Sequence, residues 1–136
     1  MFQSPSLNHF LPLLIATSFT LGGLILLFNV CSAMSAFGLP SYLSESPEAQ
    51  VVFRIYGARA TTIGIAIFWL YGKGYFYAID VLLAVSGIAA FLDGGICWSE
   101  GIVGTAVWRT LAGVVVGGWG FLGLTAREAP RKDIGG

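Results

Sequence analysis

Phe10 to Val30 reads FLPLLIATSFTLGGLILLFNV, an apolar run without a single charged side chain. A helix needs about 20 mostly apolar residues to cross the hydrocarbon core of a bilayer, so this stretch is long enough to span one. Comparable windows follow at about 51–71, 76–98 and 102–124. The second contains Arg54 and Arg59, the third Asp80 and Asp93, the fourth Arg109. None alternates with a period of two residues, which argues against the strands of a membrane barrel. Backbone groups in lipid must be bonded within their own segment. The sequence therefore predicts an all-α fold, a four-helix transmembrane bundle over residues 1–126, followed by a charged and disordered tail at 127–136.

Composition points the same way. Of 136 residues, 56% are hydrophobic and 10% charged, and the mean hydropathy is +0.80. Soluble domains carry about 25% charged residues, too many for this chain to match. Lys and Arg balance Asp and Glu to a formal net charge of +0, so no basic footprint points to nucleic acid. Cys31, Cys97 and the lone His9 lie too far apart in sequence to suggest a metal site. The chain has no phosphate-binding loop, zinc-protease, redox CxxC or nucleophile-elbow motif, and no cofactor is implied.

The connections set the topology. CSAMSAFGLPSYLSESPEAQ, residues 31–50, reads as a polar excursion with turns; YGKGY and Ser99-Glu100-Gly101 read as tight turns. Short connections make the second, third and fourth helices antiparallel neighbours. Lys73, Arg127, Arg131 and Lys132 fall on one side, while Glu45, Glu48 and Glu100 fall on the other. The excess of Lys and Arg on cytoplasmic loops then puts both termini in the cytoplasm. Tyr71, Tyr75, Tyr77 and Trp119 mark the inner interface, Trp98 the outer one, and His9 is an interfacial residue. The first segment lacks a preceding Lys or Arg and exceeds the usual apolar core of a signal peptide, so it is read as a retained helix.

Ionisable side chains inside a membrane segment are costly and read as functional by default. At about 1.5 Å of rise per residue, Arg59 lies roughly 12 Å, Asp93 roughly 8 Å and Arg109 roughly 11 Å below the outer surface. Residues three or four apart share a face, and the stripes run Tyr56-Arg59-Thr62-Ala66, Ser86-Ala90-Asp93-Cys97 and Thr105-Arg109-Gly113-Gly117-Gly120. Small faces are those along which membrane helices pack, so the three charges are expected to point into the bundle. Asp93 then pairs with Arg59 or Arg109. The remaining positive charge calls for a counter-charge, either Glu45 or Glu100 folding back or a bound lipophilic carboxylate, phenolate or enolate. Arg54 snorkels to headgroups from another face, and Asp80 is structural, meeting Lys73, Arg127 or water near the inner surface. Cys31 and Cys97 fall at outer helix ends and are read as small buried hydrophobes rather than a disulfide.

Tyr56-Gly57-Ala58-Arg59-Ala60-Thr61-Thr62-Ile63-Gly64 and Ala89-Ala90-Phe91-Leu92-Asp93-Gly94 resemble a fungal family of small four-helix membrane proteins catalogued as a domain of unknown function. The resemblance lies in chain length, in Arg-x4-Gly on the second helix and in an Asp near the end of the third. Members often have a histidine on the fourth helix, where this chain has Trp108-Arg109. The resemblance implies a role near a lipophilic natural product.

Three functions fit these residues. The first is an enzyme or accessory factor of secondary metabolism, a cofactor-free cyclase, isomerase or oxygenase. There Arg59 and Arg109 stabilise an oxyanion and Asp93 is the general acid or base. The second is a structural or scaffolding protein whose charges only pair helices. The third is a transporter or channel, which with so few helices requires oligomerisation through the small-residue faces.

Overall fold

The computed structural model describes residues 7–128, and every regular element among them is helical. In chain order these are α1 (Leu7–Phe28), α2 (Val30–Ala36), α3 (Ser41–Ser44), α4 (Pro47–Lys73), α5 (Phe76–Ser99) and α6 (Val103–Phe121). A 3-10 turn at Ala126–Glu128 follows. The four expected long helices are present, with shifted ends. α4 begins earlier than its apolar stretch because Ser46 caps it, accepting from the Ala49 amide at 3.3 Å, with Pro47 in the first turn. It ends at Gly74, whose φ of 75° is left-handed, and the Tyr75 amide closes onto the Leu70 carbonyl at 3.0 Å.

The expected polar excursion at 31–50 is largely helical instead. Asn29 stops α1, and its side chain accepts from the Ser32 amide at 3.5 Å to start α2; Pro40 precedes α3. The tail expected to be disordered opens with the ordered turn at Ala126–Glu128. The rest of that tail, with Arg131 and Lys132, and residues 1–6 lie outside the described residues.

Packing is strongest within two helix pairs, α1 with α4 and α5 with α6. Glycines decide this. A Cβ added at Gly23 would overlap Thr61 Oγ1 and come 2.5 Å from the Gly57 carbonyl; one at Gly64 would come 2.7 Å from the Ala16 carbonyl. Across the other pair, a Cβ at Gly87 would overlap the Gly117 Cα, and one at Gly113 would lie 2.8 Å from the Gly87 carbonyl. Backbone-to-backbone approach of this kind is how apolar helices associate without a hydrophobic driving force. α4 and α5, expected as neighbours, do touch, but the larger partner of α4 is α1. Gly57, Thr61 and Gly64 turn the closest-packing face of α4 onto α1, and α4 meets α5 far less extensively.

The pairs are joined by buried Ala16, Ile67, Ile79, Leu83 and Val116, which come from all four long helices. A second cluster of Leu26, Val30, Ala33 and Met34 seats α2 against α1 and α4. Around this core the outward side chains are large and apolar, among them Phe10, Trp69, Val85, Leu92 and Leu111. α1, α4 and α5 are long and apolar enough to cross a membrane, with mean hydropathies of 2.1, 1.4 and 1.8. That surface points to lipid contact and is compatible with a multi-pass membrane protein. α6 has 19 residues and is not among these three; Arg109 and its glycines lower its hydropathy.

At the end of the molecule that holds Lys73, Asp80 is 2% exposed and meets neither Lys73 nor Arg127 among the described residues. Its carboxylate instead accepts from the amides of Thr125 at 3.1 Å and Ala126 at 2.8 Å, donors left over where the chain turns at Gly123 after α6. His9 pairs its Nδ1 with the Tyr71 hydroxyl at 3.0 Å and stacks on Phe76 at 4.8 Å. Trp119, expected as an interface marker, is half-buried and packs on the core; Tyr75, Tyr77 and Trp98 are exposed.

Three substitutions check this architecture. Gly87→Leu should destabilise the detergent-solubilised protein by about 3 kcal/mol or more through overpacking. Gly118→Leu, facing open space, should stay within about 0.5 kcal/mol. Equal thermal stabilities for the two would contradict the α5–α6 seam. Asp80→Ala should cost about 1–3 kcal/mol for each amide it leaves unbonded, read from the same melting curves.

Candidate functional site

On α6 the residues that face α5 are Ala106, Thr110, Gly113, Gly117 and Gly120. Arg109 lies on the shoulder of that seam rather than on it, and Asp93 lies likewise beside Gly94 on α5. This corrects the expectation that the charges share the small faces. The seams are filled by backbone contact, which leaves no room for a guanidinium. The shoulder position sends Arg109 across toward α4 and α2.

Arg109 gathers partners from three other helical elements. Its Nη1 stands 3.5 Å from Asp93 Oδ2 and donates to the Tyr56 hydroxyl at 3.4 Å. Its guanidinium carbon lies 3.9 Å from the centre of the Phe37 ring, within the range of a cation–π contact. The side chains of Arg109 and Asp93 are 16% and 41% exposed, so the pair is open on the carboxylate side. A planar guanidinium suits this setting because it stacks on an aromatic face while donating in its own plane.

Phe37 is held in place by its backbone. It caps the C-terminal end of α2, and Thr105 Oγ1 on α6 donates to its carbonyl at 3.0 Å. Phe37, Phe53 and Tyr56 pack edge-on or tilted with centroids 6.1 to 6.3 Å apart. The Tyr56 oxygen accepts from Arg109, which leaves its own hydrogen free to donate outward. A carboxylate, a guanidinium and a phenol thus meet at the end of the molecule covered by α2. Beside them runs an open groove lined by Phe37, Gly38, Ile102, Thr105 and Trp108.

Arg59 stands apart. It is exposed on α4 and has no ion pair or hydrogen bond among the described residues. It lies three residues beyond Tyr56, roughly 4.5 Å further along the helix. With Ala58, Thr62 and Ile63 it forms an open face of α4. The structure therefore brings Asp93 and Arg109 together and leaves Arg59 outside their contacts. Glu45 and Glu100 are exposed and fold back onto neither arginine, and Arg54 is exposed.

Both cysteines are free. Cys31 is exposed rather than buried, its thiol donating to the Ser44 carbonyl at 3.3 Å, and Cys97 is half-buried. No group of His, Cys, Asp or Glu able to hold a metal ion occurs among the described residues. The partners that sequence reasoning missed are Phe37 and Thr105. Phe37 lies in a stretch read as loop, and nothing in its neighbours signals a cation beneath it. Tyr56 carried a signal, since it stands one turn from Arg59 at helical spacing.

The family model described as Domain of unknown function (DUF4267) matches residues 16–123, and the chain belongs to that family. No curated protein and no solved structure matches it.

Arg109→Lys keeps the charge but loses the stacked fork, and should lower stability by about 1 kcal/mol. Tyr56→Phe removes one long hydrogen bond and should cost no more than about 1 kcal/mol. A double-mutant cycle on melting temperatures, with Phe37→Leu as the second site, checks whether Arg109 and Phe37 are coupled.

Proposed function

We propose that this DUF4267 chain is a four-helix, multi-pass membrane protein that acts on a lipophilic anionic metabolite through Arg59, Asp93 and Arg109. The reading takes residues 1–126 as the membrane domain, with both termini cytoplasmic. α6 is the fourth span in this reading, supported by its glycine seam with α5. The placement of Lys73 and the basic tail supports the orientation. The Arg59-x4-Gly64 spacing and Asp93, which carry the resemblance to small fungal membrane proteins, support a place in natural-product metabolism.

The observation behind the functional reading is the meeting of Arg109, Asp93 and Tyr56 within 3.5 Å contacts in a chain with so few charges. Such a cluster can carry out a proton transfer without a cofactor. The Asp93 carboxylate takes a proton from carbon next to a carbonyl, and the electron pair moves onto oxygen. The guanidinium and the Tyr56 hydroxyl stabilise that oxyanion, and returning the proton to another carbon completes an isomerisation. In a host lacking the gene, wild-type complementation should restore a metabolite profile that Asp93→Asn, expressed at equal level, does not. Full restoration by Asp93→Asn would overturn the reading. A neighbouring polyketide or terpene synthase gene would support it.

One observation favours a structural role instead. Asp93 and Arg109 sit on α5 and α6, which already pack together, at ion-pair distance. A clamp predicts that Asp93→Ala lowers the melting temperature and that exchanging the two charges, Asp93→Arg with Arg109→Asp, restores it. Catalysis predicts that the exchanged protein stays inactive whatever its stability.

A further inference from the structure

We propose that the groove between the end of α2 and the start of α6 holds the body of the ligand. The ligand it fits is a flat conjugated ring bearing an acidic enol or phenol hydroxyl. The inference rests on the reading above, and names the substrate class of the same Asp93, Arg109 and Tyr56 cluster.

The groove has two walls, from segments far apart in sequence. Phe37 and Gly38, at the end of α2, form one; Ile102, Gly104, Thr105 and Trp108, at the start of α6, form the other. Thr105 ties them together, its hydroxyl donating to the Phe37 carbonyl at 3.0 Å. The volume of about 350 Å³ falls within the roughly 300–1,000 Å³ of small-molecule sites. The groove also adjoins the cluster. Phe37 stacks on Arg109, and Thr105 stands one helical turn before both Trp108 and Arg109.

Shape selects a flat occupant. A glycine stands in each wall. Gly38 has a φ of 83°, and a Cβ there would come 2.6 Å from Thr105 Oγ1, so backbone alone forms that side. A Cβ added at Gly104 would meet nothing within 4 Å, so this glycine serves no helix contact and leaves the groove open. Phe37 and Trp108 add aromatic surface, on which a planar ring stacks and a puckered one does not. Length excludes the acyl chain of a bilayer lipid. Ile102 to Trp108 is a rise of roughly 9 Å, whereas an acyl chain fills half of a core about 30 Å thick.

Polarity selects the hydroxyl. The cluster offers donors in Arg109 and Tyr56, and one acceptor, the Asp93 carboxylate, whose side chain is 41% exposed. A carboxylate on the ligand would set its charge against Asp93. An enol or phenol hydroxyl instead donates to Asp93 while its oxygen accepts from Tyr56.

The test is equilibrium dialysis of the full chain in phosphatidylcholine nanodiscs, corrected for empty discs. The flat probe is 2-naphthol. Its analogue decahydro-2-naphthol keeps the skeleton but is puckered, and 2-naphthoate keeps the plane but carries a carboxylate. Wild type should bind 2-naphthol at least about ten-fold more tightly than either. Gly104→Leu, which fills the groove, should lose at least about ten-fold, while Gly118→Leu, also facing open space, stays within about three-fold. Trp108→Phe should stay within about three-fold and Trp108→Leu lose about ten-fold, with circular dichroism showing each variant folded. Equal binding of decahydro-2-naphthol overturns the flat class, and tighter binding of 2-naphthoate overturns the hydroxyl. Unchanged binding in both Gly104→Leu and Trp108→Leu overturns the groove. If wild type shows none of these preferences while Asp93→Asn still fails to complement, this inference alone falls. If the preferences hold and Asp93→Asn complements fully, the proposed function falls and the groove stands as a binding site.

Discussion

The distance of closest approach between helix backbones governs this molecule. Apolar helices surrounded by apolar solvent gain little from hiding their side chains, so association depends on how near the backbones can come. Gly23, Gly57 and Gly64 in one seam, and Gly87, Gly113, Gly117 and Gly120 in the other, remove the atoms that would keep them apart. Seam threonines fit because their hydroxyls fold back onto their own helix, as Thr20 does to Ala16 and Thr61 to Gly57. These contacts sort four long helices into pairs, and larger side chains such as Ile67 and Leu83 fill the space between the pairs.

The polar interactions follow from that arrangement. Backbone fills the seams, and three charged residues meet different surroundings. Asp80 binds two amides at the end of α6 and serves the fold. Arg109 is enclosed by side chains from α2, α4 and α5. Arg59 lies exposed on an open face of α4.

The helical class and three long apolar segments could be read from Phe10–Val30 and its counterparts in α4 and α5, because hydrocarbon thickness imposes a length that sequence displays directly. Helical rise placed Arg59, Asp93 and Arg109 at similar depth and left either arginine as the partner of Asp93; the packing of α6 on α5 selects Arg109. The pairing of α1 with α4 was not legible. Short turns suggest neighbours, but close packing is decided by which face the glycines occupy on both partners. Phe37 was illegible for another reason. Its position over Arg109 depends on α2 restarting at Asn29 and on Thr105 holding its carbonyl, two contacts between segments far apart in sequence.

The unequal connections within the two pairs bear on how the molecule is assembled during synthesis. α5 and α6 are joined by a tight turn at Gly101, so their seam can close as soon as the second helix leaves the ribosome, at small entropic cost. α1 must instead remain without its partner until α2, α3 and then α4 have been made. During that interval the notched surface of α1 at Ala16, Thr20 and Gly23 is open to any other helix with a matching face. The chain is therefore most vulnerable to misassembly early in its translation, and a host factor that shields a lone first helix would act in that window.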